Sequence, residues 1–315
     1  MARTLDIVIP AHRVAAEIGA TLASIRTQRL PPGWSVHVHV ADDGSPDNLS
    51  AALAGLLGKE DRLLRHPTNR GRSAACNTAA AGGTGEIVAV LDADCRYADP
   101  DTLARLLGHF ERGADVVLGT VTATGDGFWA RYARDVARAR IARARRAGVW
   151  HMTTANFAIR RHRFEALGGF AEAYSQYGFE DRDLLIRLSR TDARFVVTED
   201  VAVDHREFAS VEEVCRKMFT GARFSSGIFA KRFPDEYRAS AYSRLDLARH
   251  PRLARLARPF LAAGDYLARR VAAACIRAGW VGYVAKAASL RIASALSFMH
   301  GSACAGPSEQ PGAVD

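Results

Sequence analysis

Four groups of residues in this chain have types and spacings that suit chemistry. Leu91-Asp92-Ala93-Asp94 ends an apolar run in two carboxylates at i and i+2. In an extended segment such residues share a face. At a strand-to-loop bend, one can meet a hard divalent cation and the other a sugar or ribose hydroxyl. Magnesium and manganese favour such oxygen ligands and keep positions open for phosphates. The same pattern also serves as a turn or a helix cap. Asp42-Asp43-Gly44-Ser45 closes an earlier apolar run. An Asp-Gly turn explains Gly44 and Ser45 but not two adjacent acids, and a carboxylate at Asp43 suits the donors of a nucleoside. Asn69-Arg70-Gly71-Arg72 opens a helix of small residues, where arginine and free amides favour an anion such as a diphosphate. Glu180-Asp181-Arg182-Asp183 puts three acids in the first turn of another helix, where they either act on a ligand or favour the positive helix end.

The elements that must position these groups alternate. Leu5 to Ile9, Val36 to Ala41, Arg62 to Arg65 and Ile87 to Leu91 read as strands. Ala15 to Arg29, Leu49 to Leu57 and Ser73 to Ala81 read as helices between them. That rhythm predicts βαβ units and a mainly parallel sheet. The polar groups fall at the carboxyl ends of the strands, where open α/β sheets bind ligands. Thr153 to Ile159 and Val201 to His205 read as further strands, and Asp181 to Arg190 as a helix. Beyond Ser210 the pattern is helical to Gly301, followed by a Gly- and Pro-bearing tail.

Composition narrows the alternatives. The 315 residues are 48% hydrophobic and 24% charged, ordinary globular values. Five cysteines without CxxC spacing argue against a zinc knuckle or a disulfide framework and fit a reducing compartment. The N-terminus runs straight into a strand-like segment, which predicts no export signal and a cytoplasmic chain, or one at the inner face of the cell membrane.

The net charge of +9 is concentrated. Residues 244–291 hold ten Lys or Arg against two Asp, and Phe128 to Ala147 hold seven Arg against one Asp, leaving the remainder net negative. The first block predicts an amphipathic basic helix over Ala268 to Met299, suited to an anionic membrane, to the main body or to a second subunit. The second is either a solvated face or the border of a site for an anionic ligand. A nicotinamide-dependent oxidoreductase is excluded by the segment after the first strand, Pro10 to Gly19, which lacks GxGxxG. A non-catalytic basic protein that binds membranes or polyanions would explain the charge and leave the acidic motifs idle.

Taken in order, Ile9-Pro10-Ala11, Asp42-Asp43-Gly44-Ser45, Asn69-x-Gly71, Asp92-x-Asp94, Ala155-Asn156-Phe157, Leu167-Gly168-Gly169-Phe170 and Gly178-Phe179-Glu180-Asp181-x-Asp183 resemble glycosyltransferase family 2, with its nucleotide-diphospho-sugar transferase (GT-A) fold. The resemblance covers about residues 5 to 207. It implies an α/β, Rossmann-like mixed and mainly parallel sheet flanked by helices, to which the helical pattern beyond Ser210 adds a C-terminal helical extension. The catalytic domain would span 1–207, with a donor half to about 120 and an acceptor half beyond it. The extension would span 208–300 and a flexible tail 301–315.

The activity so implied is inverting transfer of a sugar from a UDP-, GDP- or dTDP-sugar to an acceptor hydroxyl, in cell-surface polysaccharide, glycolipid or secondary-metabolite glycosylation. Pro10, Ala11, His12, Asp43, Asn69, Arg70, Asp92 and Asp94 would bind the donor. Asp94 and His205 would hold Mn2+ or Mg2+. Asp181 would be the catalytic base beside Glu180, and Asn156, Gly169 and Glu180 would meet the acceptor. The expected acceptor is a glycan, a lipid-linked sugar or a small molecule. Peripheral membrane contact through the basic C-terminal helices and a homodimer are further partners, and nucleic acid is not expected. One departure matters: the family often has Arg before the Asn at position 77, and this chain has Cys76. Arg70 or Arg72 is then expected to supply the contact.

Overall fold

The computed structural model describes residues 3–97, 99–205 and 210–305. Contacts divide the chain into two units: residues 1–175 with 180–207, and residues 176–179 with the chain from 208 onward.

The first unit is built on an eight-stranded sheet. In chain order its strands are β1 (Arg3–Ala11), β2 (Trp34–Asp42), β3 (Arg62–Arg65), β4 (Ile87–Leu91), β5 (Cys95–Tyr97), β6 (Val116–Thr122), β7 (Asn156–Arg160) and β8 (Phe195–His205). Across the sheet the order is β3-β2-β1-β4-β7-β6-β8-β5. The β3-β2-β1-β4 half is parallel. β7 runs antiparallel to both β4 and β6, whereas β6 and β8 are parallel. The sheet is therefore mixed and mainly parallel, as the alternation of elements predicts. Its helices are α1 (Ile18–Arg26), α2 (Leu49–Leu53), α3 (Arg72–Ala81), α4 (Thr102–Glu111), α5 (Phe128–Ala147), α6 (Arg161–Ala166) and α7 (Glu180–Ser189). The region after β4 differs most from expectation, because β5, α4 and β6 carry no polar motif.

Period-two alternation along β1 supplies both faces of the core. Leu5, Ile7 and Ile9 join one apolar cluster with α1 and α4, while Val8 joins the other, with α3, α5 and α7. On α5, Ala130, Ala137, Ile141 and Ala144 form the buried stripe, and most of its arginines remain on the surface. Strands covered on both faces bring their carboxyl ends to one edge, where the motifs fall.

The second unit is helical, with α8 (Val211–Thr220), α9 (Ser226–Arg232), α10 (Pro234–Ala239), α11 (Tyr242–Leu245), α12 (Pro251–Arg277) and α13 (Tyr283–Ala303). A π-helical turn at Gly221–Ser225 joins α8 to α9. A Cβ at Gly301 would lie 2.9 Å from Phe219 Cα, so glycine there lets α13 close on α8. Phe179, at φ 73°, packs against Phe229 and Tyr242.

The single basic helix expected over Ala268 to Met299 is instead two helices. Residues 278–282, with Gly279 and Gly282, break it, since glycine disfavours helix interiors. Arg269 also turns inward, 2.6 Å from Asp265 Oδ2. Asp265 further lies 3.1 Å from His300 and accepts from Ser297. The tail expected from 301 begins as the last turn of α13, and residues 306–315 lie outside the described residues.

Candidate active site

The carboxyl ends of β1, β2 and β4 gather the polar groups. Asp43 follows β2 and is buried. Its Oδ1 accepts from the Arg70 amide at 2.9 Å, its Oδ2 accepts from the Gly71 amide at 2.8 Å, and His66 Nδ1 lies 2.7 Å away. One carboxylate thus fastens the loop that opens α3. Gly71, at φ 93°, permits this turn, since a Cβ would lie 2.8 Å from Ser175 Cα. His12 Nδ1 lies 3.0 Å from the Asp43 carbonyl, and Asn69 Oδ1 accepts from the Gly71 amide. Pro10 and Ala11 complete the end of β1.

Arg72, the first residue of α3, is the centre of the site. Its Nε and Nη2 donate to Asp92 Oδ1 at 3.0 and 2.8 Å, while Nη1 donates to Thr154 Oγ1 at 3.0 Å and reaches Asp181 Oδ1 at 3.3 Å. One guanidinium joins the acid after β4 to the acid opening α7. Thr153 Oγ1 donates to Asp181 Oδ2 at 2.9 Å, and Thr154 Oγ1 donates to Oδ1. The base expected from sequence is therefore oriented by two hydroxyls and one cation. Arg70 points elsewhere, 2.9 Å from Glu172. Of the two arginines that sequence offered in place of the missing one at position 76, Arg72 is the one among the acids. It stands one helical turn before Cys76, whose thiol is pushed up to about 12 by burial. The signal was the spacing: residues four apart share a helix face.

Asp94 pairs with His205 at 3.0 Å. They meet because β5 runs antiparallel to β8 with Cys95 opposite His205. Ligand atoms of Asp94, Cys95 and His205 lie within 4.8 Å of one another. A carboxylate suits manganese or magnesium, an imidazole suits manganese better than magnesium, and the thiol suits softer ions. Burial raises the Asp92 carboxyl above the usual range. Arg72 opposes the shift and nearby Asp94 adds to it.

Glu180 is only 5% exposed, and its Oε2 has no hydrogen-bond partner among the described residues. Burial, reinforced by the Asp181 charge, pushes it up to about 7. Asp183, two residues on, has a structural setting: fully buried, it accepts from Tyr174 Oη at 3.1 Å and from Arg187 Nε at 2.6 Å.

Two expected acceptor residues are turned inward. Asn156 Nδ2 donates to the Val201 and Thr120 carbonyls, pinning β7 beside β6 and β8. Gly169, at φ 68°, makes a turn whose carbonyl accepts from Arg187. Sequence reasoning had no role for Thr153 and Thr154, which carry no motif until the fold sets them against Asp181. Nearby, a cleft between β6 and α5 is walled by Thr120, Val121, Ala137, Arg140, Met152 and Thr153. His151, one residue before Met152, is lowered to about 4 by burial and by the Arg182 and Arg143 charges.

Known proteins carry related sequences and folds. The profile of Glycosyl transferase family 2 matches residues 6–168, and that described as the N-terminal domain of galactosyltransferase matches residues 139–212. The pre-mycofactocin glycosyltransferase of Mycobacterium tuberculosis is 28% identical over 246 residues, covering 74% of this chain and 49% of that protein. This chain thus spans about half the length of that relative. Among solved structures, the mannosyltransferase PcManGT of Pyrobaculum calidifontis, in complex with GDP-Man and Mn2+, aligns with TM-score 0.57 and 22% identity over 92% of this chain and 85% of that one. Residues 1–349 of S. aureus TarS, in complex with UDP, align with TM-score 0.54 and 16% identity over 95% and 90%. With these likenesses for the fold and a family profile that covers more than half of its length, the chain belongs to Glycosyl transferase family 2.

Proposed function

We propose that the chain transfers a sugar from a nucleotide diphosphate sugar to an acceptor hydroxyl by single displacement with inversion. The observation that carries this reading is the Arg72 bridge between Asp92 and Asp181, beside the Asp94–His205 pair. It supports reading Asp92 as a donor-side acid and Asp181 as a base, both bound to one cation. Asp181 removes the acceptor proton as the hydroxyl oxygen bonds to the anomeric carbon, and the carbon–phosphate oxygen bond breaks with its electron pair leaving on the nucleoside diphosphate. Asp92 meets the donor's sugar or ribose. Arg72 offsets charge on the departing diphosphate. Glu180 presents a carboxyl that is partly protonated near neutral pH, fit to exchange a hydrogen bond with the acceptor hydroxyl.

Asp94 and His205 would hold the divalent cation. When bound, it would neutralise phosphate charge as a Lewis acid. The Mn2+ and GDP-Man in the PcManGT structure, and the UDP in the TarS structure, support a metal and a nucleotide donor. The test is hydrolysis of UDP-, GDP- and dTDP-sugars with manganese, magnesium or EDTA. No turnover of any donor with either metal would overturn the reading.

A finer reading concerns the acceptor. Arg140 walls the cleft beside Thr153, whose hydroxyl holds Asp181. Arg143 and Arg182 add positive charge at His151. This setting favours an acceptor with a phosphate or carboxylate, read by arginine forks. Glycerol 3-phosphate and glycerate should then serve as acceptors with lower KM than glycerol, and R140Q should erase the difference.

A further inference from the structure

The second unit carries a surface that sugar transfer does not explain. Along α12, Leu253, Leu256, Phe260, Leu267 and Val271 are all exposed, Leu256 by 73% and Phe260 by 79%. At about 100° per residue they fall within an arc of about 60°. The stripe is therefore continuous, about 27 Å long at about 1.5 Å per residue. Trp280, in the break after α12, is 89% exposed, and Val284 at the start of α13 is 80% exposed. Single exposed apolar residues are ordinary, whereas an aligned series marks an interaction surface.

The charges beside the stripe identify its partner. Arg252, Arg255, Arg270 and Arg277 are exposed and occupy the adjacent arc of about 60°. None of the four makes an ion pair among the described residues. Between Leu247 and Ala305 the sequence has one acid, Asp265, and it is buried and held by Arg269, Ser297 and His300. A second copy laid on this stripe would bring arginines and no acids to meet them. A surface of lipid phosphates supplies both an apolar interior and negative charge. No described helix is long and apolar enough to cross a membrane, which leaves binding in the plane of the surface.

We infer that α12, with Trp280, docks the protein on an anionic lipid bilayer, the apolar stripe entering the interface and the flanking arginines meeting headgroup phosphates. The inference stands on the second unit alone and does not require the sugar-transfer reading.

The experiment is vesicle co-sedimentation of the full chain at about 0.1 M salt. Phosphatidylcholine vesicles with and without about one-third phosphatidylglycerol are compared, with tryptophan emission as a second readout. The expected results are at least about tenfold stronger binding to the anionic vesicles, a blue shift that W280F removes, and loss of binding at about 0.5 M salt. L256S/F260S/L267S keeps every charge and R252Q/R255Q/R270Q/R277Q keeps the stripe. Each should weaken binding by at least about tenfold while the helical circular dichroism is retained. Equal binding to both vesicle types, or wild-type binding by the serine variant, would overturn the inference. So would a stable dimer in light scattering that the serine variant dissociates, since a second copy would then be the occupant.

Discussion

Asp6, at the amino end of β1, and the acids gathered past the carboxyl end of β4 are held in opposite ways. Asp6 is fully buried, accepts from the Gly85 amide and from Arg161 Nη2, both at 2.7 Å, and lies 3.3 Å from His39. Burial alone would raise its pKa, yet His39, the Gly85 amide and Arg161 outweigh it, so the carboxyl sits below its usual range. At the other end one guanidinium is shared by Asp92 and Asp181, Asp92 is raised, and Glu180 rises to about 7. At Asp6 the neighbouring groups outweigh burial, whereas at Asp92 and Glu180 burial and the neighbouring like charges prevail, and carboxyls perturbed in that direction cluster at functional sites.

The comparison breaks first on activity. D94A and D181N should each reduce transfer by at least about a hundredfold, the scale of a lost general base or electrostatic group. D181N should leave nucleoside diphosphate affinity within about twofold, because the role proposed for Asp181 is on the acceptor. Turnover assays paired with nucleotide titrations check both. D6N should do the reverse. It removes the charge that Arg161 and His39 hold in a dry site, so chemical denaturation should show a loss of about 3 kcal/mol, with kcat of the folded fraction unchanged. A D6N enzyme as stable as wild type would dissolve the contrast between the two ends.

Glu180 sharpens it through pH. Its carboxyl binds a proton more tightly in the fold, at about 7, than at the ordinary value of 4.5. The folded state therefore holds more protons between those values, and stability falls as pH rises from about 4.5 through 7. E180Q cannot lose that proton. Its stability relative to wild type should grow across this window by roughly 3 kcal/mol, from about 1.4 kcal/mol per unit, and level off above it. Equal pH dependence in both proteins, measured by denaturation at pH 4 to 8, would mean Glu180 is solvated after all.

The parts of this arrangement that sequence made legible are those in which one residue type has a local reason. The parallel half of the sheet follows from alternating apolar runs, and Asp94 and His205 stand out as acid and imidazole at strand ends. The family resemblance implies that they meet at one ion, but the residues alone do not show it, because the meeting depends on the antiparallel pairing of β5 with β8, and β5 is only three residues long. Asn156 is a different case: the resemblance implies an acceptor contact, and in the fold two carbonyls from neighbouring strands take up its amide. Asp43 was read as a nucleoside contact, yet in the fold its two oxygens already accept from the Arg70 and Gly71 amides. Arg72 was visible only as an alternative, since choosing it over Arg70 requires knowing which way the first turn of α3 faces.

That choice gives the smallest of the expected effects. Arg70 spends its side chain on Glu172, and both are about half exposed, with side-chain values of 50% and 44%. A pair so solvated contributes little, so E172Q should change stability by less than about 0.5 kcal/mol. R70M should weaken nucleoside diphosphate binding by no more than about threefold, whereas R72M should weaken it by at least about tenfold, because only Arg72 has its charge committed among the acids of the site. Isothermal titration of each variant with the nucleoside diphosphate of the best donor, in manganese, measures both. If R70M loses more affinity than R72M, the guanidinium that meets the diphosphate swings in from Glu172, and Arg72 serves only to join Asp92 to Asp181.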